Sequence, residues 1–80
     1  MFMEQKWIKT EEMLENLCSE PGVEQQYERY LGPILRSTHW LKYDGVKDLY
    51  GDSTDWVEFG WFSREEFLKV IGDSWWRREH

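Results

Sequence analysis

The chain has little of what catalytic, metal-binding and membrane-spanning proteins usually require. It has one cysteine, Cys18, so an internal disulfide is excluded and thiolate ligands for a zinc site are lacking. Its six glycines are scattered singly, and no glycine-rich phosphate loop is present. No stretch approaches the roughly 18 consecutive apolar residues of a membrane-spanning helix. These absences predict a protein that is not an enzyme, binds no metal or cofactor, and does not span a membrane.

Positive charge is also scarce. Ten Lys and Arg stand against 16 Asp and Glu, which gives a net charge of −6. Nucleic acids and anionic membranes select clustered Lys and Arg, so we expect neither as a direct partner. An acidic chain suits a protein partner with a basic surface. The single cysteine, and a start from Met1 to Lys6 without the apolar run of a signal peptide, predict a cytoplasmic location.

Aromatic residues, in contrast, are abundant. They make up 18% of the chain and include six tryptophans, which place large apolar areas in only 80 residues. This length leaves little room for a second core, so we predict one domain over residues 1–80.

Residues 55–62 carry the clearest strand signal. From Trp56 to Phe62 nearly every residue other than Glu58 and Gly60 is aromatic or β-branched, which favours a pleated surface. Side chains alternate across a strand, and the more continuous apolar set is predicted to face the core. This set is Val57, Phe59 and Trp61.

A helix is predicted directly after this strand. Ser63 and Glu66 have the Ser-x-x-Glu spacing of a capping box, which starts the helix at Arg64. Helical spacing then continues towards the C-terminus through Phe67, Val70, Ile71 and Trp75. The string Trp61–Phe67 resembles a strand-to-helix junction of Nudix hydrolases, but their glutamate-rich catalytic box is absent, so no activity is implied.

The first 31 residues predict two helices. Thr10, followed by two glutamates, is an N-cap signal, and the buried stripe of that helix is Met13, Leu14, Leu17 and Cys18. Residues 6–9 fit either a backward extension of this helix or a short extended segment that carries Trp7 and Ile8 to the core. A second helix is predicted from the spacing of Val23, Tyr27, Tyr30 and Leu31, and Gly32-Pro33 interrupts it.

A hairpin is predicted next. Trp40 to Tyr43 is the first strand, Asp44-Gly45 supplies turn residues, and Val46 to Tyr50 returns antiparallel. With the strand that begins at Trp56, this makes a three-stranded meander. The predicted fold class is therefore α+β, with helices packed on one face of a three-stranded antiparallel meander in the order α-α-β-β-β-α.

Few residues are candidates for catalysis. Cys18 lies on an apolar stripe, which is typical of an inert buried thiol, and His39 is most simply a polar residue beside a strand. Acids concentrate near the hairpin, at Asp44, Asp48, Asp52 and Asp55. Ordinary turn chemistry, an acidic face for a basic partner, and catalysis or metal binding are the three interpretations; the spacing of a calcium loop is absent.

Tryptophans and acids together define the predicted partner-binding set. The set is Asp44, Asp48, Asp52, Asp55, Glu58, Trp56 and Trp76. Trp56 lies opposite the predicted core face of its strand, and Trp76 lies about 100° around the predicted helix from Trp75. Either ring is a candidate anchor for a partner, whereas packing across the protein's own sheet edge is the alternative for Trp76.

We therefore predict a small acidic interaction module that inhibits a partner by occupying its basic, nucleic-acid-binding surface. Phage-encoded anti-CRISPR and anti-restriction proteins are similar in size and charge, which is an analogy and not a motif match. The alternative function is a structural or regulatory homo-oligomer, such as a homodimer, without catalytic activity.

Overall fold

The computed structural model describes residues 6–79, in which one six-stranded antiparallel sheet is accompanied by two short helices. In chain order the elements are β1 (Ile8–Lys9), α1 (Thr10–Cys18), β2 (Gln25–Gly32), β3 (Leu35–Asp44), β4 (Leu49–Ser53), β5 (Gly60–Phe62), α2 (Arg64–Val70) and β6 (Trp75–Arg78). The strand order across the sheet is β1-β6-β2-β3-β4-β5. Neither helix within these residues is long and apolar enough to cross a membrane. The predicted three-stranded meander with the order α-α-β-β-β-α is wrong.

The predicted second helix is instead strand β2. It lies inside the sheet and pairs antiparallel with β3 on one side and β6 on the other. Tyr27 is buried whereas Val23 and Tyr30, at helical spacing from it, are exposed. Pairing with β3 and with the distant strand β6 satisfies the backbone of β2, and the spacing of side chains within the segment carries no signal of that pairing.

The C-terminal segment also differs from the prediction. Helix α2 starts as predicted, because Ser63 Oγ accepts from Glu66 N and the Glu66 carboxylate accepts from Ser63 N. The helix ends at Val70, and Gly72 then takes a left-handed φ of 78°. Glycine adopts this conformation without strain and turns the chain out of the helix. The last strand, β6, then inserts between β1 and β2.

The β3–β4 hairpin is confirmed, with a longer turn than predicted. Asp44 pairs with Leu49, so residues 45–48 form the turn, and Asp48 has a left-handed φ of 56°. The following strand β5 is shorter than predicted, and its faces are reversed. Trp61 is exposed, whereas Phe62 packs against the core.

The core consists of apolar side chains from both helices and from four strands. Its fully or almost fully buried members are Met13, Leu14, Leu17, Tyr27, Leu41, Tyr50, Phe67 and Trp76. The predicted stripe of α1 is therefore confirmed for its three largest residues. Cys18 is half-buried, with Sγ 2.9 Å from the Tyr50 hydroxyl oxygen. Burial, together with this hydrogen bond, raises the pKa of Tyr50 to about 12.

Candidate partner-binding surfaces

The seven predicted partner-binding residues do not form one surface. They divide into a loop group (Asp55, Trp56, Glu58), a turn group (Asp44, Asp48) and an interior group (Asp52, Trp76). Only the loop group combines an exposed aromatic ring with exposed carboxylates. The partner-binding role of these three residues stays a prediction, whereas the other two groups have structural contacts that account for them.

The loop between β4 and β5, residues 54–59, is named the acidic loop. Its Trp56 is 93% exposed and Val57 is 63% exposed. Thr54 and Val57 exchange backbone hydrogen bonds of 3.0 and 3.4 Å, which close the loop and leave Trp56 at its tip. Asp55 and Glu58 are exposed on either side of this apolar pair. Exposed apolar side chains that are rimmed by polar ones are characteristic of contact sites.

The turn group is explained by the β3–β4 hairpin. Asp44 Oδ1 accepts hydrogen bonds from the backbone N–H groups of Lys47 and Val46, and these bonds lower the pKa of Asp44. Asp48 Oδ1 accepts from the Tyr43 hydroxyl at 2.8 Å, which raises the pKa of Tyr43. Both aspartates therefore have a role in the turn.

The interior group corrects the sequence analysis. Trp76 is fully buried, and its Nε1 donates to Thr10 Oγ1 at 2.9 Å. Because β6 is a strand, Trp76 faces the core and its neighbour Trp75 faces solvent. Asp52 is also inside, with Oδ1 2.7 Å from His39 Nδ1. Trp76 is therefore inaccessible to a partner of the folded protein, and only 10% of the Asp52 side chain is exposed.

His39 is satisfied on both sides of its ring. Nε2 lies 2.8 Å from Ser37 Oγ, and Nδ1 faces Asp52. The order Ser–His–Asp is that of a nucleophilic catalytic set. However, His39 is only 5% exposed and packs edge-on against the Trp76 ring, with 5.1 Å between the ring centroids. We assign this network a structural role in the core. Ser37 and Asp52 provide hydrogen-bond partners for the buried His39 ring, whose nitrogens would cost free energy if they were left without partners.

Sequence reasoning missed a second surface, the outer face of the sheet. Side chains on this face alternate with those of the core and form two groups of aromatic rings and cations. The first cluster is Trp7, Tyr30 and Trp75 with Lys9, Arg36 and Arg77. The second cluster is Phe59 and Trp61 with Lys42. The first cluster combines residues from distant segments, so the sequence carries no local signal for it. In the second cluster, Phe59 and Trp61 share a face as predicted, but that face was predicted to point to the core.

The second cluster lies flat on the sheet. The rings of Phe59 and Trp61 are stacked, with 5.9 Å between centroids and 23° between planes. They lie over Gly51, where a Cβ atom would be only 3.0 Å from two Trp61 ring atoms. Glycine at this position therefore provides the space that holds the stack against the strand. Trp61 faces outward because it pairs with Gly51, whereas the next pair, Tyr50 and Phe62, faces the core.

The chain matches no family model, no curated protein and no solved structure. Among residues 6–79, no group of three or more His, Cys, Asp or Glu side chains is placed to hold a metal ion. Function is therefore inferred from the acidic loop and the two clusters.

Proposed function

We propose that the protein is a small interaction module that binds a basic protein surface through the acidic loop. The supporting observation is the 93% exposure of Trp56 between the exposed carboxylates of Asp55 and Glu58. Tryptophan is enriched among the residues that dominate binding energy, because its ring buries a large area at a small entropic cost. Carboxylates beside it would pair with Lys or Arg of the partner and fix the orientation.

Binding of this kind makes the protein an inhibitor when the partner's basic surface normally holds nucleic acid. The loop carboxylates would then occupy the Lys and Arg side chains that otherwise contact phosphates. The anti-CRISPR and anti-restriction proteins are the analogous class by size and charge. Because exposed charge pairs are screened by salt, we expect binding to weaken strongly between about 0.1 and 0.5 M salt.

The first test compares tagged variants in a pull-down from lysate, read by mass spectrometry. Trp56→Ser removes the exposed ring, and Val46→Ser is the matched control, because Val46 is 96% exposed in a different turn. We expect wild type and Val46→Ser to retain the same nucleic-acid-handling protein at low salt, and Trp56→Ser to lose it. Retention of that protein by Trp56→Ser would refute the role of the acidic loop.

A second arm tests the charges. The double substitution Asp55→Asn with Glu58→Gln removes two charges from the loop, and Glu12→Gln with Glu24→Gln removes two exposed charges elsewhere. If the loop carboxylates contact the partner, only the first pair weakens binding and reduces its salt dependence. Equal effects of the two pairs would show that net charge, and not this loop, determines binding.

One observation favours the alternative, a homo-oligomer. The tip of the β2–β3 hairpin exposes three apolar side chains, with Ile34 98%, Leu35 57% and Leu31 45% exposed. Such a tip gains stability when it is covered by a second copy. Sedimentation equilibrium of wild type and Ile34→Ser checks this, since a dimer that Ile34→Ser disrupts supports the alternative and a strict monomer at high concentration rules it out.

A further inference from the structure

The first cluster on the outer face borders a shallow, open concavity. Trp7, Tyr30 and Trp75 line a space of about 340 Å³. Trp7 and Tyr30 meet edge to face, with 5.7 Å between centroids and 78° between planes. Tyr30 and Trp75 are each about 40% exposed. Tyr30 and Trp75 therefore leave part of their rings open to solvent, beside the cations that lie over them.

Three cations surround these rings although the chain as a whole is acidic. The Arg36 guanidinium carbon lies 4.8 Å from the Tyr30 centroid and 5.2 Å from that of Trp7. The Arg77 guanidinium carbon lies 4.6 Å from the Trp7 ring centroid, and Lys9 Nζ lies 4.1 Å from the Trp75 ring centroid. The first cluster therefore places three cations against its rings.

Arg36 differs from the other two cations in its partners. Arg77 pairs with Glu28 at 2.8 Å, and Lys9 pairs with Asp73 at 3.3 Å. Arg36 donates to the backbone carbonyls of residues 32 and 35, and within residues 6–79 no carboxylate oxygen lies within 4.0 Å of its guanidinium group. An exposed guanidinium group in this situation is available to an anion.

The chemistry of the first cluster restricts what it can bind. Aromatic rings alone would suit a quaternary ammonium group, but the Arg36 guanidinium group, which lies over Trp7 and Tyr30 and is not balanced by a carboxylate as Lys9 and Arg77 are, repels one. An uncharged apolar ligand would use the rings and leave Arg36 without an anion. A planar ring that carries a negative group uses both features, and a nucleotide has this combination.

We propose that the first cluster binds the nucleobase of a nucleotide unit, stacked on Trp7, Tyr30 and Trp75, with its phosphate on Arg36. The second cluster offers another stack with a cation on the same face, since Lys42 Nζ lies 4.8 Å from the Phe59 centroid and 5.7 Å from that of Trp61. Two stacking places on one sheet face suit several nucleotides of a single strand. The first cluster shares no residue with the acidic loop, and its binding does not depend on the proposed role of that loop. The second cluster includes Phe59, the last residue of the loop.

The test measures fluorescence anisotropy of a labelled oligothymidylate of about 12 nucleotides, a length within the range that such surfaces cover. At about 50 mM salt we expect half-saturation at roughly 1–100 μM protein, the range of sequence-independent binding. Unlabelled thymidine monophosphate and unlabelled oligonucleotide are the two competitors. Competition by the mononucleotide indicates a site for a single nucleotide, and competition by the oligonucleotide alone indicates a strand; both results support the shared chemistry.

Two variants test the two contacts. Arg36→Gln is expected to weaken binding about fivefold or more and to reduce the slope of log affinity against log salt by about 0.7, the change for one phosphate contact on a single strand. Tyr30→Leu is expected to weaken binding about tenfold, because one stacked base is lost. The matched controls are Lys69→Gln, which removes a charge on α2, and Trp56→Ser, which removes an exposed ring from the acidic loop. Both controls are expected to bind like wild type.

Four results would overturn the proposal. The first is an absence of binding at about 50 mM salt with about 0.1 mM protein. The second is unchanged binding by both Arg36→Gln and Tyr30→Leu, with thermal unfolding showing that they fold. The third is displacement of the oligonucleotide by polyglutamate as readily as by unlabelled oligonucleotide, which would identify an acidic-peptide surface. Loss of binding by Trp56→Ser alone would place the site on the acidic loop and also contradict the proposal.

Discussion

Replacement of Thr10 by valine is expected to destabilise the protein more than any surface substitution. Thr10 Oγ1 accepts hydrogen bonds from Trp76 Nε1 and from the backbone N–H of Ser74, both at 2.9 Å, and donates to the carbonyl of Gly72 at 3.0 Å. One hydroxyl thus joins the start of α1 to strand β6 and to the turn before it. Valine has nearly the same shape but no polar atom, so both N–H groups lose this acceptor.

The magnitude follows from the burial of the groups that lose their partner. A buried donor without an acceptor costs about 1–3 kcal/mol. Trp76 is fully buried and takes the upper part of this range, whereas Ser74 is half-buried and water reaches it more easily. Together we expect the free energy of unfolding to fall by about 3 kcal/mol. A domain of this size has roughly 4–12 kcal/mol in total, so the loss is a large fraction.

Urea unfolding followed by circular dichroism and tryptophan fluorescence measures this change. With a slope of about 1 kcal/mol per M, the midpoint is expected to move down by about 3 M. Thr10→Ser is the control, because it keeps the hydroxyl and loses one methyl group, which costs about 0.8 kcal/mol. In a Trp76→Phe background, which lacks the indole donor, Thr10→Val is expected to cost less. Equal stability of Thr10→Val and Thr10→Ser would refute the assigned role of the hydroxyl.

Three further changes test other contacts. Gly51→Ala places a Cβ 3.0 Å from Trp61 ring atoms in the second cluster and is expected to lower the free energy of unfolding, measured in urea, by about 1–3 kcal/mol. Gly32→Ala is the control. Its Cβ would have no atom within 4 Å, so it is expected to change the free energy of unfolding by less than about 1 kcal/mol. The capping-box hydrogen bonds lower the pKa of Glu66 below 4.5, so the stabilisation by the Glu66 carboxylate is present above pH 4.5 and is lost as the pH falls through the lowered value. Glu66→Gln should therefore lose less thermal stability on acidification than wild type does. An unchanged pH profile of thermal stability in this variant would contradict the assignment. Asp52→Ala leaves the buried His39 Nδ1 without its partner and is expected to lower the free energy of unfolding by about 1–3 kcal/mol. The same proteins should still be retained in the pull-down. If the folded variant selectively lost a retained partner, Asp52 would have to contact that partner.

The candidate surfaces were only partly accessible to sequence reasoning. Trp56 was predicted to point away from the core as part of a strand, and it is exposed because it lies at the tip of a loop. Trp76 was predicted on a helix, and strand β6 buries it instead. The first cluster joins Trp7, Tyr30 and Trp75, which come from both ends and the middle of the chain. They become neighbours only because β6 inserts between β1 and β2.

By itself the sequence determined the features that arise between residues within four positions of one another. These include the capping box of Ser63 and Glu66 with the start of α2, the buried stripe of α1, and the role of Asp44 in the β3–β4 turn. Each depends on local hydrogen bonds or on helical spacing, which can be recognised in a short segment. The start of α2 at Arg64, with Ser63 as its N-cap, is the same in the prediction and in the structure.

Tertiary structure alone decided that β2 is a strand, that β6 replaces the end of a helix, and that β5 points Trp61 outward. In each segment apolar residues fit more than one period or face, and local propensity does not separate the choices. Pairing of the backbone separates them. β2 and β6 lie inside the sheet and must satisfy their N–H and C=O groups on both sides, whereas β5 is an edge strand whose faces are set by its register with β4. The outer face, with its aromatic rings and cations, exists only as a consequence of that pairing.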